Sequence, residues 1–369
     1  MSIENTPRRT GDIISQRAAG LKPYTPGEQP KDGAYIKLNT NENPYPPAPA
    51  VKEYLAHVDT SDLRLYPDPE AEELRRTLSR VYGLAPENYF AGNGSDEVLS
   101  FIFYAFFDKT RGPLLFPEHT YSFYPVYCAF YGIDYKKIPL TGGFALDLNL
   151  YSEETKNDGI TGIIFPNPNA PIGRAVERRE IEKLLGALPG NVPVVVDEAY
   201  VDFGAESSLP LVRDFQNLIV VQTFSKSRSL AGLRVGYAAA HPEIIKVLHT
   251  VKNSFNSYPL DVLSQKTASL SLSEGEHFET TRRRIIATRE RTAEALSHKG
   301  WEVIPSRANF ICARHPSIPG KEVYEGLKKK GILVRHFATR GIEDFVRISI
   351  GTEEEMDAFI RAAGSLVCP

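Results

Sequence analysis

Between Glu87 and Ala240 the chain alternates short β-forming runs with helix-like stretches, and this alternation limits the fold more than any other feature. The runs are NYFAGNG, GPLLFPE, DYKKIPL, GITGIIFPN, VPVVVDEAY, NLIVVQTFSK and RVGYAAA, with helices expected at Asp96–Phe107 and Glu177–Leu188. Alternating strands and helices build a mainly parallel sheet covered on both faces. Runs such as LIVV, apolar at every position, suit strands buried on both sides. The expected class is α/β, a large domain with a mainly parallel seven-stranded sheet between helices, joined to a smaller α+β domain.

The pattern changes after Tyr258. Pro259 to Lys299 reads as long, helical and polar on one face, and is followed by WEVIPSRANFICAR, ILVRHF and FVRISIG. Helix followed by separated strands predicts the small domain. The division expected is an N-terminal arm over 1–44 that contributes to the small domain, a large domain over 45–258, and a small domain over 259–369. The Pro-rich piece NENPYPPAPA, residues 41–50, reads as an ordered extended loop joining two parts of the fold.

Composition closes off several functions. Lys and Arg total 43 against 46 Asp and Glu, a net charge of −3, so no global charge points to nucleic acid or an anionic membrane. The basic cluster Arg282–Arg284 shares its helix with Glu276, Glu279, Glu290 and Glu294, the pattern of a solvated face. LSFIFYAFF, Leu99 to Phe107, falls well short of the roughly 20 apolar residues a membrane span needs, and is expected as a core helix. The opening MSIENTPRRTGDIISQRAAG lacks the apolar core of a secretory signal. Cys128, Cys312 and Cys368 are too scattered for a disulfide framework or a zinc pattern, and the eight histidines show no ligand spacing. No metal is expected, and a reducing cytoplasm fits best.

The chemistry concentrates in VVQTFSKSRSLAGLRVGY, Val220 to Tyr237. A buried strand delivers Thr223, Ser225, Lys226 and Arg234 into one loop, and ligands of open α/β sheets bind beyond the carboxyl ends of strands. Hydroxyls with an arginine suit a phosphate. A partly desolvated lysine amine beside a cation can form a Schiff base, although a lone Ser-Lys pair is more often an ordinary turn. Asp197 ends the apolar run VPVVVD, where a carboxylate is costly without a cationic partner. A protonated pyridine nitrogen would serve, and a helix cap is the plainer alternative. In YFAGNGSDEVLSF, a turn holding Gly94 and Ser95 precedes a helix whose free N–H groups can take phosphate. Asp96 and Glu97 would repel that phosphate if they faced it, so the backbone must make the contact. Glu97 stands where a dinucleotide fingerprint needs its third glycine, which removes that reading. In FPNPNAPIGR the prolines hold asparagine side chains rigidly at a strand's end, where they could orient a ring hydroxyl.

In order, GNGSDE, HTYSFY, NPNAPIG, DEAY, TFSKSRSLAGLRVGY and VRISIG resemble the aspartate-aminotransferase fold of pyridoxal-phosphate enzymes. LNTNENPYPP and LYPDP are similar, more narrowly, to the histidinol-phosphate aminotransferases. The resemblance runs from about Leu21 to Gly351. It implies pyridoxal 5′-phosphate carried on Lys226, its ring nitrogen paired with Asp197, its ring oxygen bonded by Tyr200 and its ring stacked on Tyr121. It also implies a phosphate held by Gly94, Ser95, Thr223, Ser225 and Arg234, with Tyr66 reaching in from a neighbouring subunit of a homodimer. By the same resemblance Arg347 grips a carboxylate, Arg335 and Tyr24 grip the substrate's phosphate end, and Asn43 lies at the site mouth. One departure stands out: the family's N-P-T-G reads Ala170-Pro171-Ile172-Gly173 here. Asn169, one residue earlier, is the expected substitute at the ring oxygen.

The implied activity is amine transfer from histidinol phosphate to 2-oxoglutarate in two half-reactions. An aromatic-amino-acid transaminase and a pyridoxal-phosphate-dependent decarboxylase of phosphorylated amino acids share these motifs and remain alternatives. A non-enzymatic regulator on the same scaffold is disfavoured, because no helix-turn-helix module precedes the fold.

Overall fold

A computed structural model describes residues 13–25, 27–30, 35–157 and 159–367. In chain order its strands are β1 (Ile36–Lys37), β2 (Tyr89–Asn93), β3 (Leu114–Pro117), β4 (Tyr135–Ile138), β5 (Gly162–Pro166), β6 (Val194–Asp197), β7 (Leu218–Thr223), β8 (Val235–Ala240), β9 (Glu302–Ile304), β10 (Phe310–Arg314), β11 (Ile332–Leu333), β12 (Arg335–His336) and β13 (Val346–Ser349). The large sheet has seven strands in the order β2-β8-β7-β6-β5-β3-β4. From β7 to β4 all pairs are parallel, and β8 runs antiparallel to both β7 and β2.

Burial shows why these runs are apolar throughout. Along β6, Val194 and Val196 pack into one hydrophobic cluster and Val195 into the cluster on the opposite face. Successive strand side chains point to opposite faces, so a strand covered on both sides needs an apolar residue at each position. Each such valine contributes roughly 1.5–3 kcal/mol as an upper figure. The segment Leu99–Phe107 lies largely in the Gly94–Phe106 helix, where Leu99, Phe101, Ile102 and Phe103 are buried. Among the described residues no helix is long and apolar enough to cross a membrane.

A four-stranded antiparallel sheet, β12-β13-β10-β9, builds a second core with Ile285, Leu296, Trp301, Val323 and Phe359. The N-terminal arm joins it: β1 pairs in parallel with β11, and Leu38 packs in the same core. The Pro259–Lys299 segment, expected as one helical stretch, is two helices, Val262–Ser273 and Gly275–Ser297, parted at Glu274. The reason is a change of partner. Ala268 and Leu272 pack with the large sheet, whereas Ile285 and Leu296 pack with the small one.

The solvated face expected at Arg282–Arg284 is also partly filled. The Arg282 guanidinium donates to Glu279 at 2.7 Å and to the Asp202 carbonyl at 3.2 Å, and Arg284 lies 4.3 Å from the centre of the Tyr45 ring. Cys128 and Cys312 are buried and unpaired, and Cys368 lies outside the described residues.

Candidate active site

The carboxyl ends of β5, β6 and β7 lie side by side, since Pro166 pairs with Asp197 and Asp197 with Val221. Beyond them is a cavity of about 310 Å³, lined among others by Ser95, Asp96, Tyr121, Asp197, Tyr200, Thr223, Ser225, Lys226 and Arg234. A neighbouring cavity of about 420 Å³ shares Tyr121, Tyr200, Lys226 and Arg234 and adds Tyr24, Arg335 and Arg347. Most residues singled out in the sequence therefore converge on one place.

Asp197 is 5% exposed. Burial pushes its carboxyl up to about 6, against hydrogen bonds from the Tyr124 hydroxyl and the Ala199 N–H that favour the charged form. These bonds are 3.0 and 3.2 Å long. Asp96 raises the value further and Lys226 lowers it. Such an acid ionises fully once a cation faces it.

The Gly94–Phe106 helix begins at the same cavity, which its Ser95 and Asp96 line. Gly94 has φ +77°, and a Cβ there would stand 2.5 Å from Nη2 of Arg234. A Cβ on Gly236 would stand 2.3 Å from the Ser95 nitrogen. With no side chain at either glycine, the helix N-terminus lies close against β8 and the arginine. The Thr223 hydroxyl donates to Ser225 Oγ at 3.0 Å, and Arg234 reaches the same oxygen at 3.5 Å. Arg234 also pairs with Asp96 at 3.0 Å. Of the two acids after Ser95, Glu97 turns to the Asn93 N–H at 2.7 Å, while Asp96 faces the cavity with its charge matched by Arg234.

The Lys226 Nζ donates to the Thr40 carbonyl at 3.3 Å and lies 5.7 Å from the centre of the Tyr200 ring. Asn43 is turned onto the backbone: its amide donates to the carbonyls of Lys226 and Ser227 at 3.0 and 3.2 Å. In the neighbouring cavity Arg347 donates to the Asn39 carbonyl at 2.9 Å, and its Nε is buried without a partner. Burial pulls the Arg347 guanidinium below its ordinary value. Phe337 lies 5.5 Å from Arg347 and 5.6 Å from Arg335, whose Nη2 also donates to the Thr25 carbonyl at 3.2 Å. Tyr24 packs on Phe123 at 4.9 Å.

The family described as Aminotransferase class I and II matches residues 34–362. The chain belongs to the class I and II aminotransferases. It is 50% identical over 344 residues to the histidinol-phosphate aminotransferase of Syntrophus aciditrophicus, covering 93% of this chain and 95% of that one. It is 49% identical over 346 residues to the protein of the same name from Pseudomonas syringae pv. syringae, covering 94% and 97%. In fold it is similar to the Sinorhizobium meliloti histidinol-phosphate aminotransferase, solved in complex with pyridoxal-5′-phosphate, with a TM-score of 0.82, 23% identity and 90% of each chain covered.

The residues of this aminotransferase fit pyridoxal phosphate. A buried acid stands where a ring cation would face it, and hydroxyls, an arginine and a helix N-terminus form an anion cradle. The Lys226 amine lines the same cavity. At the departure from N-P-T-G it is Ala170 that lines the cavity. Asn169 is fully buried, and its amide donates to the His119 carbonyl at 2.9 Å. Tyr66 is 82% exposed and stacks on Tyr258 at 4.7 Å, outside both cavities. The sequence reading missed Tyr124, Thr40 and Asn41. Tyr124 opens the Tyr124–Tyr131 helix just after Tyr121 in HTYSFY, and only the fold turns its hydroxyl onto Asp197.

Proposed function

We propose that this aminotransferase moves the amine of histidinol phosphate to 2-oxoglutarate, with pyridoxal 5′-phosphate as cofactor. The identity of 50% over 93% of the chain carries this reading, and the arginine-lined second cavity supports it. When bound, the cofactor supplies an electron sink for the charge that develops at the substrate's Cα. Lys226 holds it covalently, Asp197 keeps the ring nitrogen charged, and Tyr200 donates to the ring oxygen. Tyr121 covers the ring face. Gly94 and Ser95 N–H groups, Thr223, Ser225 and Arg234 hold the phosphate, and Arg234 stays oriented by Asp96.

The Lys226 amine, freed when an amino substrate binds, would serve as the base that takes the proton from the substrate's Cα and carries it onward. The donor leaves as an oxo compound before 2-oxoglutarate enters, and the acceptor runs the same steps in reverse. Arg347 pairs with a substrate anion, and Arg335 and Tyr24 hold the phosphate end of histidinol phosphate. Asn43, through the Lys226 carbonyl, fixes the loop that carries the lysine. Asn169, through the His119 carbonyl, holds the loop that presents Tyr121.

The exposed Tyr66 belongs to the active site of a second copy in a homodimer, which a hydroxyl so far outside its own cavity supports. The protein works in the cytoplasm. Its parts are an arm over 1–44, a large domain over 45–258 and a small one over 259–369, whose first helix, Val262–Ser273, packs against the large core.

A half-reaction screen tests the reading. The purified yellow protein is mixed separately with glutamate, histidinol phosphate, phenylalanine and threonine phosphate, and the cofactor band and products are followed. Reversible amine transfer from glutamate and histidinol phosphate is expected. Preference for phenylalanine would point to an aromatic transaminase, and release of carbon dioxide from threonine phosphate to a lyase.

A further inference from the structure

Asn41 directly follows Thr40, whose carbonyl accepts from the lysine, is 1% exposed and has φ 55°, a left-handed conformation that asparagine tolerates. Every polar group on it is engaged. Its N–H donates to Ser349 Oγ at 2.8 Å, and that hydroxyl donates back to Asn41 Oδ1 at 2.9 Å. Its carbonyl accepts from the Asn309 amide at 3.0 Å. Its Nδ2 donates to the Tyr200 hydroxyl oxygen at 3.0 Å.

This arrangement fixes directions as well as distances. Ser349 Oγ already accepts the Asn41 N–H, so its single hydrogen goes to Oδ1, and the amide cannot flip without losing that bond. Nδ2 must then face Tyr200. A tyrosine hydroxyl that accepts from an amide keeps its one hydrogen for another partner. Tyr200 lines the cavity, and Ala170, which packs in the same cluster, offers no polar group on that wall. The Tyr200 hydrogen is thereby directed at whatever acceptor sits in the cavity, and accepting from Asn41 strengthens it as a donor.

Building on the function proposed above, we infer that Asn41 is a positioning residue, setting Tyr200 as an obligate donor to the cofactor's ring oxygen. A donor there draws electron density from the oxygen and weakens its hold on the proton it shares with the lysine-linked nitrogen. Losing the donor raises the pH at which that proton leaves.

The test is an absorbance titration with pH of the cofactor-loaded protein, read without turnover. N41D keeps the shape but offers an acceptor, so the Tyr200 hydrogen turns away from the cavity. Its titration midpoint is expected to rise by at least roughly half to one unit, the worth of one hydrogen bond. N41A is expected to rise by less, and Y200F by as much as N41D or more. Adding N41A to Y200F is expected to change nothing further. Wild-type midpoints in N41D and N41A overturn the inference, as does an N41A shift that persists in full in Y200F. If N41A fails to fold, N41D and S349A still decide, S349A being expected to shift the midpoint upward by loosening the amide. A wild-type protein that takes up no cofactor would instead overturn the function on which the inference rests.

Discussion

The hydroxyl of Tyr124 donates to Oδ2 of Asp197 over 3.0 Å, and both residues are buried. That bond favours the charged carboxylate in a place where burial opposes it. Y124F removes the donor and leaves the ring in its cluster with Phe103 and Phe116. A hydrogen bond to a charged group is worth about 1.5–3 kcal/mol, so cofactor affinity is expected to fall roughly ten- to a hundredfold. Titration of the apoprotein with pyridoxal phosphate measures it, and unchanged affinity would separate Tyr124 from the function of Asp197.

The stability of the apoprotein follows from the same burial. Asp197 is raised to about 6 and Glu198 to about 7, both mainly by desolvation. A carboxyl raised on folding binds protons more tightly in the native state, so its stabilisation is complete below its unfolded value and is lost as pH rises through its folded one. Melting temperature of the apoprotein should therefore fall between about pH 4 and 7. Cofactor should reverse the Asp197 share, because a ring cation then faces the carboxylate. Scanning calorimetry with and without cofactor checks this, and identical pH profiles would contradict it.

Gly94 is expected to be intolerant of a side chain. G94A places a methyl 2.5 Å from the Arg234 guanidinium at φ +77°. The arginine must move away from Ser225 and Asp96, so cofactor affinity should drop by about tenfold or more, with a stability cost of about 1–2 kcal/mol. Binding and melting curves read the two effects separately. A variant that binds as tightly as wild type would remove this helix start from the phosphate cradle.

Much of this was legible in the sequence because the signals were local. Runs apolar at every position announce strands covered on both faces, and Asp197, Thr223 and Lys226 are found where such runs end. What stayed hidden depends on contacts between distant segments. Arg289, on a helix that looks solvated from its charges, is buried and donates to the carbonyls of Phe203 and Ala308 at 2.8 Å. Asn169 gave a plausible ring contact from its spacing, yet its amide is spent on His119, and no local pattern reveals where a loop side chain turns. The antiparallel β8 was equally silent, since a buried strand has the same composition in either direction.

Substrate choice should reside in Arg335. R335A is expected to lower kcat/KM for histidinol phosphate by roughly a hundredfold while changing that for glutamate or phenylalanine less, because a guanidinium–phosphate pair is charge-assisted and directional. Steady-state kinetics with the three donors measure it. An equal loss for all three would assign Arg335 to the scaffold.

The most direct measurement is chemical. The cofactor-loaded protein is treated with borohydride, which makes an imine link permanent, then digested and mapped by mass spectrometry. The pyridoxyl mass is expected on Lys226 and on no other lysine, and to be absent from K226A. A label on a different lysine, or none after reduction of the yellow protein, would contradict the assignment of Lys226 as the group that carries the cofactor.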